Sequence, residues 1–251
     1  MRQTDVSLRE EWQEKMKITV INGTMRHGST WNCKDLLLNK ISQLEETQVR
    51  EFYLPKDMTD FCTGCFSCFL NGEDSCPHAD QIQPIVAALE EADLVILTSS
   101  VYGLDVSGQL KALLDHLCFM WISHRPNPKM FNKVGISFTT TAGAGLSHTT
   151  KTMQNSLKFW GVKKRYASKQ AVAAMKWSDI SDKKRRQIEK DIGQLAKKAT
   201  RSVANIEHSR APLFRKIMFN MMKNMMKKND WNPTDRNHWE ANGWLTGSKP
   251  F

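Results

Sequence analysis

No stretch of the 251 residues approaches the roughly 18 consecutive apolar side chains that a membrane-crossing helix needs. Residues 1–17 are charged throughout and lack the apolar core of a secretory leader, so a cytoplasmic location is expected. Internal repeats and low-complexity tracts are missing, which sets aside solenoids and disordered linkers. Two phosphate-binding signatures are also absent. There is no Gly-Lys-Ser/Thr ending of a nucleoside triphosphate loop, and no G-x-G-x-x-G, since Gly23 and Gly28 are five apart. The two separated C-x2-C knuckles of a structural zinc site do not occur either.

What is present is an ordinary globular composition, 40% hydrophobic and 25% charged, long enough for one domain and an extension. The formal charge of +10 is unevenly spread. It gathers at Lys183, Lys184, Arg185 and Arg186, at Lys197 and Lys198, and between Arg215 and Lys228, whereas residues 57–93 are acidic. No aromatic-and-basic pattern of a nucleic-acid module accompanies the charge, so nucleic acid is not an expected partner.

Apolar spacing predicts strands at residues 17–22, 48–54, 93–98, 134–139 and 166–174. Helices are predicted at 31–44, 81–91, 106–120, 147–160 and 181–207. This alternation implies βαβ units with right-handed crossovers, hence a parallel sheet covered on both faces. Residues 1–16 form an N-terminal segment expected to be helical, and residues 17–207 the sheet domain. Residues 208–251 form a basic Met- and Trp-rich helical extension, with Leu213, Ile217, Met218, Met221, Met222 and Met225 at helical spacing. Two readings attach to that helix, an anionic membrane or partner contact and packing over the sheet domain with Trp231, Trp239 and Trp244 as anchors. The second is preferred.

In open parallel sheets, ligands sit beyond the carboxyl ends of the strands where strand order reverses. That rule selects residues 23–32, 99–108 and 140–148. The first loop offers hydroxyls at Thr24, Ser29 and Thr30, a cation at Arg26 and the positive end of a helix, a set suited to a single terminal phosphate. The second, Ser99-Ser-Val-Tyr-Gly103, offers amides, hydroxyls and an aromatic ring beside which a flat heterocycle fits. The third, Thr140-Thr-Ala-Gly-Ala-Gly145, has two glycines that permit close backbone approach.

Through these loops and the run Gly108-Gln-Leu-Lys-Ala-Leu-Leu-Asp115, the chain resembles the NAD(P)H-dependent FMN reductase and iron–sulfur flavoprotein branch of the flavodoxin-like superfamily. The resemblance covers residues 17–162. It implies an α/β flavodoxin-like three-layer sandwich with a five-stranded parallel sheet in the order 2-1-3-4-5. It assigns Thr24, Arg26, Ser29, Thr30 and Asn32 to the FMN phosphate. Ser100, Val101, Tyr102 and Gly103, with Thr141, Gly143 and Gly145, are assigned to the isoalloxazine. Members often carry Pro where this chain has Ser100, and an aromatic or small residue where it has Gly103. The resemblance also implies homodimers with the flavin near the subunit interface, and residues 121–128 are the expected overhanging loop.

Cys62-x2-Cys65-x2-Cys68-x7-Cys76 follows the style of cluster-binding runs, in which closely spaced thiolates grip one cubane. In the iron–sulfur flavoproteins that the chain resembles, such a run carries a four-iron, four-sulfur cluster. Redox-active free thiols and zinc are the alternatives, and His78 is read as a helix-entry residue. Cys33 and Cys118 are expected to be packing residues, and Asp115 and His116 structural or interfacial.

Flavin chemistry needs no side-chain nucleophile or general base. The expected activity is therefore an FMN-dependent oxidoreductase passing electrons from NAD(P)H to a quinone, flavin, metal or other small acceptor. In that reading amides of the third loop and the Tyr102 hydroxyl steady the reduced ring. An electron carrier without NAD(P)H turnover, and a redox-sensing or nucleic-acid-binding regulator, are the alternatives.

Overall fold

A computed structural model describes residues 15–251. The helix expected in residues 1–16 lies outside the described residues except for Lys15 and Met16, and Met16 already opens the first strand. Five strands pair in parallel in the order β2-β1-β3-β4-β5, as the resemblance implies. They are β1 Met16–Asn22, β2 Thr47–Tyr53, β3 Leu94–Ser100, β4 Val134–Thr141 and β5 Lys164–Ala171.

The three inner strands are buried almost throughout, which explains their continuous apolar runs. Edge strand β2 is largely open to solvent, and this accounts for its imperfect alternation. The helices are α1 Ser29–Ser42, α2 Ser67–Asn71, α3 Ala79–Glu91, α4 Gly108–His116, α5 Leu146–Phe159, α6 Asp182–Ala204, α7 Leu213–Met226 and α8 Pro233–Ala241. On one face of the sheet, Leu37 and Ile41 of α1 and Ile188, Ile192 and Ala196 of α6 bury Ile18, Val20, Ile96 and Ile136. On the other face, α3, α4 and α5 bring Ile85, Leu89, Leu113 and Leu157 over Ile21, Val95 and Leu97. At roughly 1.5–3 kcal/mol for each fully buried aliphatic side chain, these two layers dominate the stability. Cys33 is wholly buried, and burial pushes its thiol pKa up to about 12; burial likewise raises Cys118 to about 11. Cys33 is a packing residue, whereas Cys118 is only half-buried and joins none of the apolar clusters among the described residues.

Helix α7 does pack, and of the expected stripe Met218 and Met222 take part. Phe219, Met222 and Met226 enter a third apolar cluster with Ile122, Trp239 and Trp244. The Arg215 guanidinium, also buried, donates to the carbonyls of Phe131 and Gly161. Leu213, Ile217, Met221 and Met225 face outward instead. Trp231 is no anchor: it is 73% exposed, whereas Trp239 and Trp244 are buried.

Candidate functional site

The chain leaves β1 through Gly23, which packs under the neighbouring strand. A Cβ there would lie 2.7 Å from the Thr98 carbonyl and 2.9 Å from Ser107 Oγ. Ser107 Oγ donates to the Gly23 carbonyl and accepts from the Leu110 amide, so one buried hydroxyl caps α4 and pins the first loop. Arg26 N donates to Thr24 Oγ1 at 3.2 Å, and Asn32 Nδ2 donates to the Gly28 carbonyl at 2.9 Å. The loop therefore closes on itself just before α1. Gly28 is the N-cap of that helix, and no side chain caps it. The first-turn amides thus present the positive helix end that an anionic group seeks.

Below this turn three hydroxyls meet. Thr30 Oγ1 lies 2.6 Å from Ser100 Oγ and 2.6 Å from Thr140 Oγ1. They come from α1 and the carboxyl ends of β3 and β4, so the three loops are fastened to one another at their base. Above them opens a cleft of about 260 Å³. It is lined by Arg26, Gly28, Ser29, Ser100, Val101, Tyr102, Thr140, Thr141 and Ala142, with Val172, Ala174 and Met175 completing the rim. Its place is the carboxyl edge at the β1/β3 switch point, where sheets of this strand order seat their ligands.

Of the expected residues, Arg26, Ser29, Ser100, Val101, Tyr102 and Thr141 line the cleft, and Thr30 lies beneath it. Thr24, Asn32, Gly103, Gly143 and Gly145 are not in its lining. Thr24 and Asn32 shape the turn. Gly103 (φ +52°) sits in a tight reversal where Tyr102 and Asp105 exchange backbone bonds. Gly145 has φ +95°, and a Cβ on it would lie 2.6 Å from Val101 Cγ1, so its bareness makes room for the Val101 side chain.

Three of the backbone donors expected in these loops are already taken. Val101 N is bonded to the Thr140 carbonyl, Tyr102 N to that of Asp105, and Gly143 N to Thr141 Oγ1. The cleft offers a flat ring side-chain faces at these positions. Val172, Ala174 and Met175 were not anticipated, because the sequence pattern extends the last strand to residue 174 whereas β5 ends at Ala171. The chain leaves the sheet there to form the rim, and Arg26 Nη2 reaches the Met175 carbonyl at 3.5 Å across the cleft.

The four clustered cysteines line a separate cavity of about 50 Å³, together with His78, Asp115 and His116. Left-handed turns at Gly64, Phe66 and Gly72 fold the segment back on itself. Cys62 and Cys65 are exposed, Cys68 and Cys76 half-buried. Hydrogen bonds from Ser67 lower the Cys65 thiol pKa, whereas burial raises that of Cys68. His116 Nδ1 lies 3.9 Å from Cys76 Sγ, so this helix-end histidine belongs to the cysteine cavity. Among the described residues, no three Cys, His, Asp or Glu side chains converge on one ion position. The four thiols do share one cavity, and thiolates are the donors that both a cluster and zinc take.

Residues 16–178 match the NADPH-dependent FMN reductase family. The chain belongs to this family. Within it, the chain is 32% identical over 134 residues to an iron-sulfur flavoprotein of Archaeoglobus fulgidus, an alignment covering 52% of this chain and 58% of that one. The chain thus spans little more than half the length of that curated relative. Among solved structures, the fold is similar to a flavone reductase (TM-score 0.57, 15% identity, 78% of this chain and 66% of that one). It is also similar to an azoreductase from Bacillus anthracis (TM-score 0.54, 13% identity, 73% and 99%). No helix among the described residues is long and apolar enough to cross a membrane.

In this member of the FMN reductase family, residues 121–128 do not stand over the cleft as an overhanging loop. Trp239 Nε1 donates to the His124 carbonyl at 2.6 Å, and His238 Nε2 to that of Pro126 at 3.0 Å. Arg125 Nη1 pairs with Asp235 Oδ1 at 2.6 Å. The segment is bound to α8 and the cysteine loop.

Proposed function

We propose that the protein is an FMN-dependent NAD(P)H oxidoreductase that delivers electrons to a quinone, flavin, metal or other small acceptor. The observation that carries this is the fastening of three strand-end loops by the Thr30, Ser100 and Thr140 hydroxyls around one switch-point cleft. Arg26, Ser29 and the uncapped first turn of α1 would hold the phosphate. Val101, Tyr102, Thr141 and Ala142 would border the ring, with Val172 and Met175 at its edge. Bound FMN supplies hydride acceptance and electron delivery, chemistry that no side chain provides. The residues' own work is to neutralise the phosphate, fix the ring plane and leave one side open for the nicotinamide and then the acceptor.

The cysteine segment is read as the seat of an iron–sulfur cluster, as in the flavoproteins named for one, and as a second electron site. Helix α4 runs from Ser107, which pins the FMN loop, to His116 in the cysteine cavity. Its nine residues span about 13 Å at 1.5 Å each. Exposed Met25, Tyr102, Leu104 and Met175 in the loops around the cleft suit a second copy of the chain as partner. The flavin unit is taken as residues 17–207 and the extension as 208–251.

The test is an anaerobic visible spectrum with FMN, iron and sulfide analysis, followed by NADPH and NADH oxidation with a quinone. Flavin bands and turnover are expected. Reduction by dithionite but by neither nicotinamide would make it an electron carrier. Colourless protein that takes up no FMN would refute the assignment.

A further inference from the structure

The cysteine-bearing helix α2 has only five residues, Ser67–Asn71, and none is buried. A helix this short lies below the length at which helices sustain themselves, and its last four carbonyls have no partner within it. All four are nonetheless satisfied. Ser75 Oγ donates to the Asn71 carbonyl from within the segment. The other three donors come from far along the chain. Arg125 donates through Nη2 to the Cys68 carbonyl and through Nη1 to the Phe69 carbonyl, and Thr234 Oγ1 donates to the Leu70 carbonyl.

Arg125 is itself held in place. Its side chain is only 4% exposed, and it pairs with fully buried Asp235 at 2.6 Å and with Glu73 at 3.2 Å. Asp235 also takes the His124 Nδ1 contact at 2.9 Å, and His124 packs edge-on against Phe69 at 4.6 Å. Both Thr234 and Asp235 lie in the first turn of α8, whose N-cap Asn232 accepts from the Asp235 amide. The negative carboxyl end of α2 thus abuts the positive amino end of α8, with a cation and an anion interleaved between them.

We propose that Arg125, Thr234 and Asp235 form a bracket by which the C-terminal extension fixes the cysteine segment, so that the extension is part of the cysteine site. Arg125 is a positioning residue here: it caps the helix that carries Cys68 and sets where that thiol lies relative to Cys62, Cys65 and Cys76. The bracket stands on contacts of the chain itself; only its consequence for a cluster rests on the function proposed above.

The experiment uses the full chain, reduced and stripped of iron by a chelator, with iodoacetamide alkylation of each cysteine followed by peptide mass spectrometry. Asp235→Asn breaks the charge pairing, and Thr234→Val removes one hydroxyl with little risk to folding. Both are expected to raise the Cys68 alkylation rate about tenfold, the size of effect that losing one such hydrogen bond gives. Cys33 in the core should keep its slow rate, and Trp231→Ala, an exposed change in the same extension, should alter neither. An unchanged Cys68 rate in both variants would overturn the proposal. So would a Cys33 rate rising in step with Cys68 in Thr234→Val, because the extension would then be holding the whole fold. In a parallel reconstitution with iron and sulfide, wild type is expected to retain more iron than either variant. Should wild type take up no iron while the Cys68 difference persists, the cluster reading fails and the bracket stands.

Discussion

Thr30 Oγ1 lies 2.6 Å from Thr140 Oγ1, although 110 residues separate the two in sequence. Each hydroxyl has one proton to give, and Thr30 meets both Thr140 and Ser100, so the three form a shared network in which removing one member strands the others. Thr30→Val keeps the shape and loses the hydroxyl. It is expected to cost about 1–2 kcal/mol in stability and to weaken FMN binding about tenfold by fluorescence titration. Thr30→Ser should restore most of both. Wild-type affinity in the valine variant would mean that the network does not align the cofactor loops.

Arg26 is the exposed cation in the lining of the cleft. A charge-assisted contact to phosphate is worth about 1.5–3 kcal/mol, so Arg26→Ala should raise the FMN dissociation constant roughly 10- to 100-fold. Riboflavin has the same ring and no phosphate. Its affinity should be equal in wild type and variant, and a parallel loss for riboflavin would place Arg26 at the ring.

Gly143 and Gly145 look alike in sequence and should behave oppositely. A Cβ on Gly143 meets nothing within 4 Å, whereas one on Gly145 collides with Val101 Cγ1 at 2.6 Å on a backbone with φ +95°. Gly145→Ala is expected to lower stability by about 2 kcal/mol, combining left-handed strain with overpacking. Gly143→Ala should stay within about 0.5 kcal/mol of wild type. Thermal melts of the two variants decide it.

The strands, the two helical layers and the switch-point edge were legible because buried parallel strands write themselves as continuous apolar runs, such as Leu94 to Leu97, whereas the order of the strands came from the family resemblance. The convergence of Arg26, Ser29 and Ser100 to Tyr102 on one cleft was legible for the same reason, since the strands before these loops are easy to place. What was not legible depends on where chains end and meet. Lys164–Ala171 is an edge strand of mixed polarity, so its true end, and with it the Val172–Met175 rim, leaves no periodic signal. The pairing of Arg125 with Asp235 joins residues 110 apart, and no local pattern announces such a contact. The α7 stripe was only partly legible, with Met218 and Met222 placed inward, because apolar residues occupy both of its faces and periodicity alone cannot say which one packs.

That ambiguity can be tested directly. Phe219 is fully buried, with its ring 4.7 Å from Trp239 and 5.2 Å from Trp244, whereas Met221 is 49% exposed. Phe219→Ala should cost about 3–5 kcal/mol, and Met221→Ala about 0.5 kcal/mol or less. Chemical denaturation of both variants separates the two faces. Equal losses would mean that the outer stripe is also covered in solution.

The last prediction concerns acid. Lys34, 1% exposed, binds Glu51 at 2.8 Å and so ties α1 to β2 just behind the loop assigned to the phosphate; Asn22, at the end of β1, donates to the same carboxylate. Burial pushes the Glu51 pKa up, but hydrogen bonds from Lys34, Asn22 and Tyr53 and the lysine charge outweigh it, so the pKa falls below its ordinary 4.5. A depressed folded-state pKa means that the unfolded chain binds the proton first. The contribution is therefore complete well above pH 4.5 and is lost as pH falls from there through the folded-state pKa. Glu51→Gln lacks this titration and leaves Lys34 without its counter-charge. The stability gap between wild type and Glu51→Gln should be widest near neutrality and close progressively below about pH 4.5, as read from denaturation midpoints across a pH series. Because the pair braces the helix whose amino end is assigned to the phosphate, wild type should also release FMN over that acidic range, while Glu51→Gln should bind it more weakly at neutral pH. A gap that stays constant down to pH 3 would mean that the Glu51 carboxylate is not held by Lys34 in the way the geometry describes.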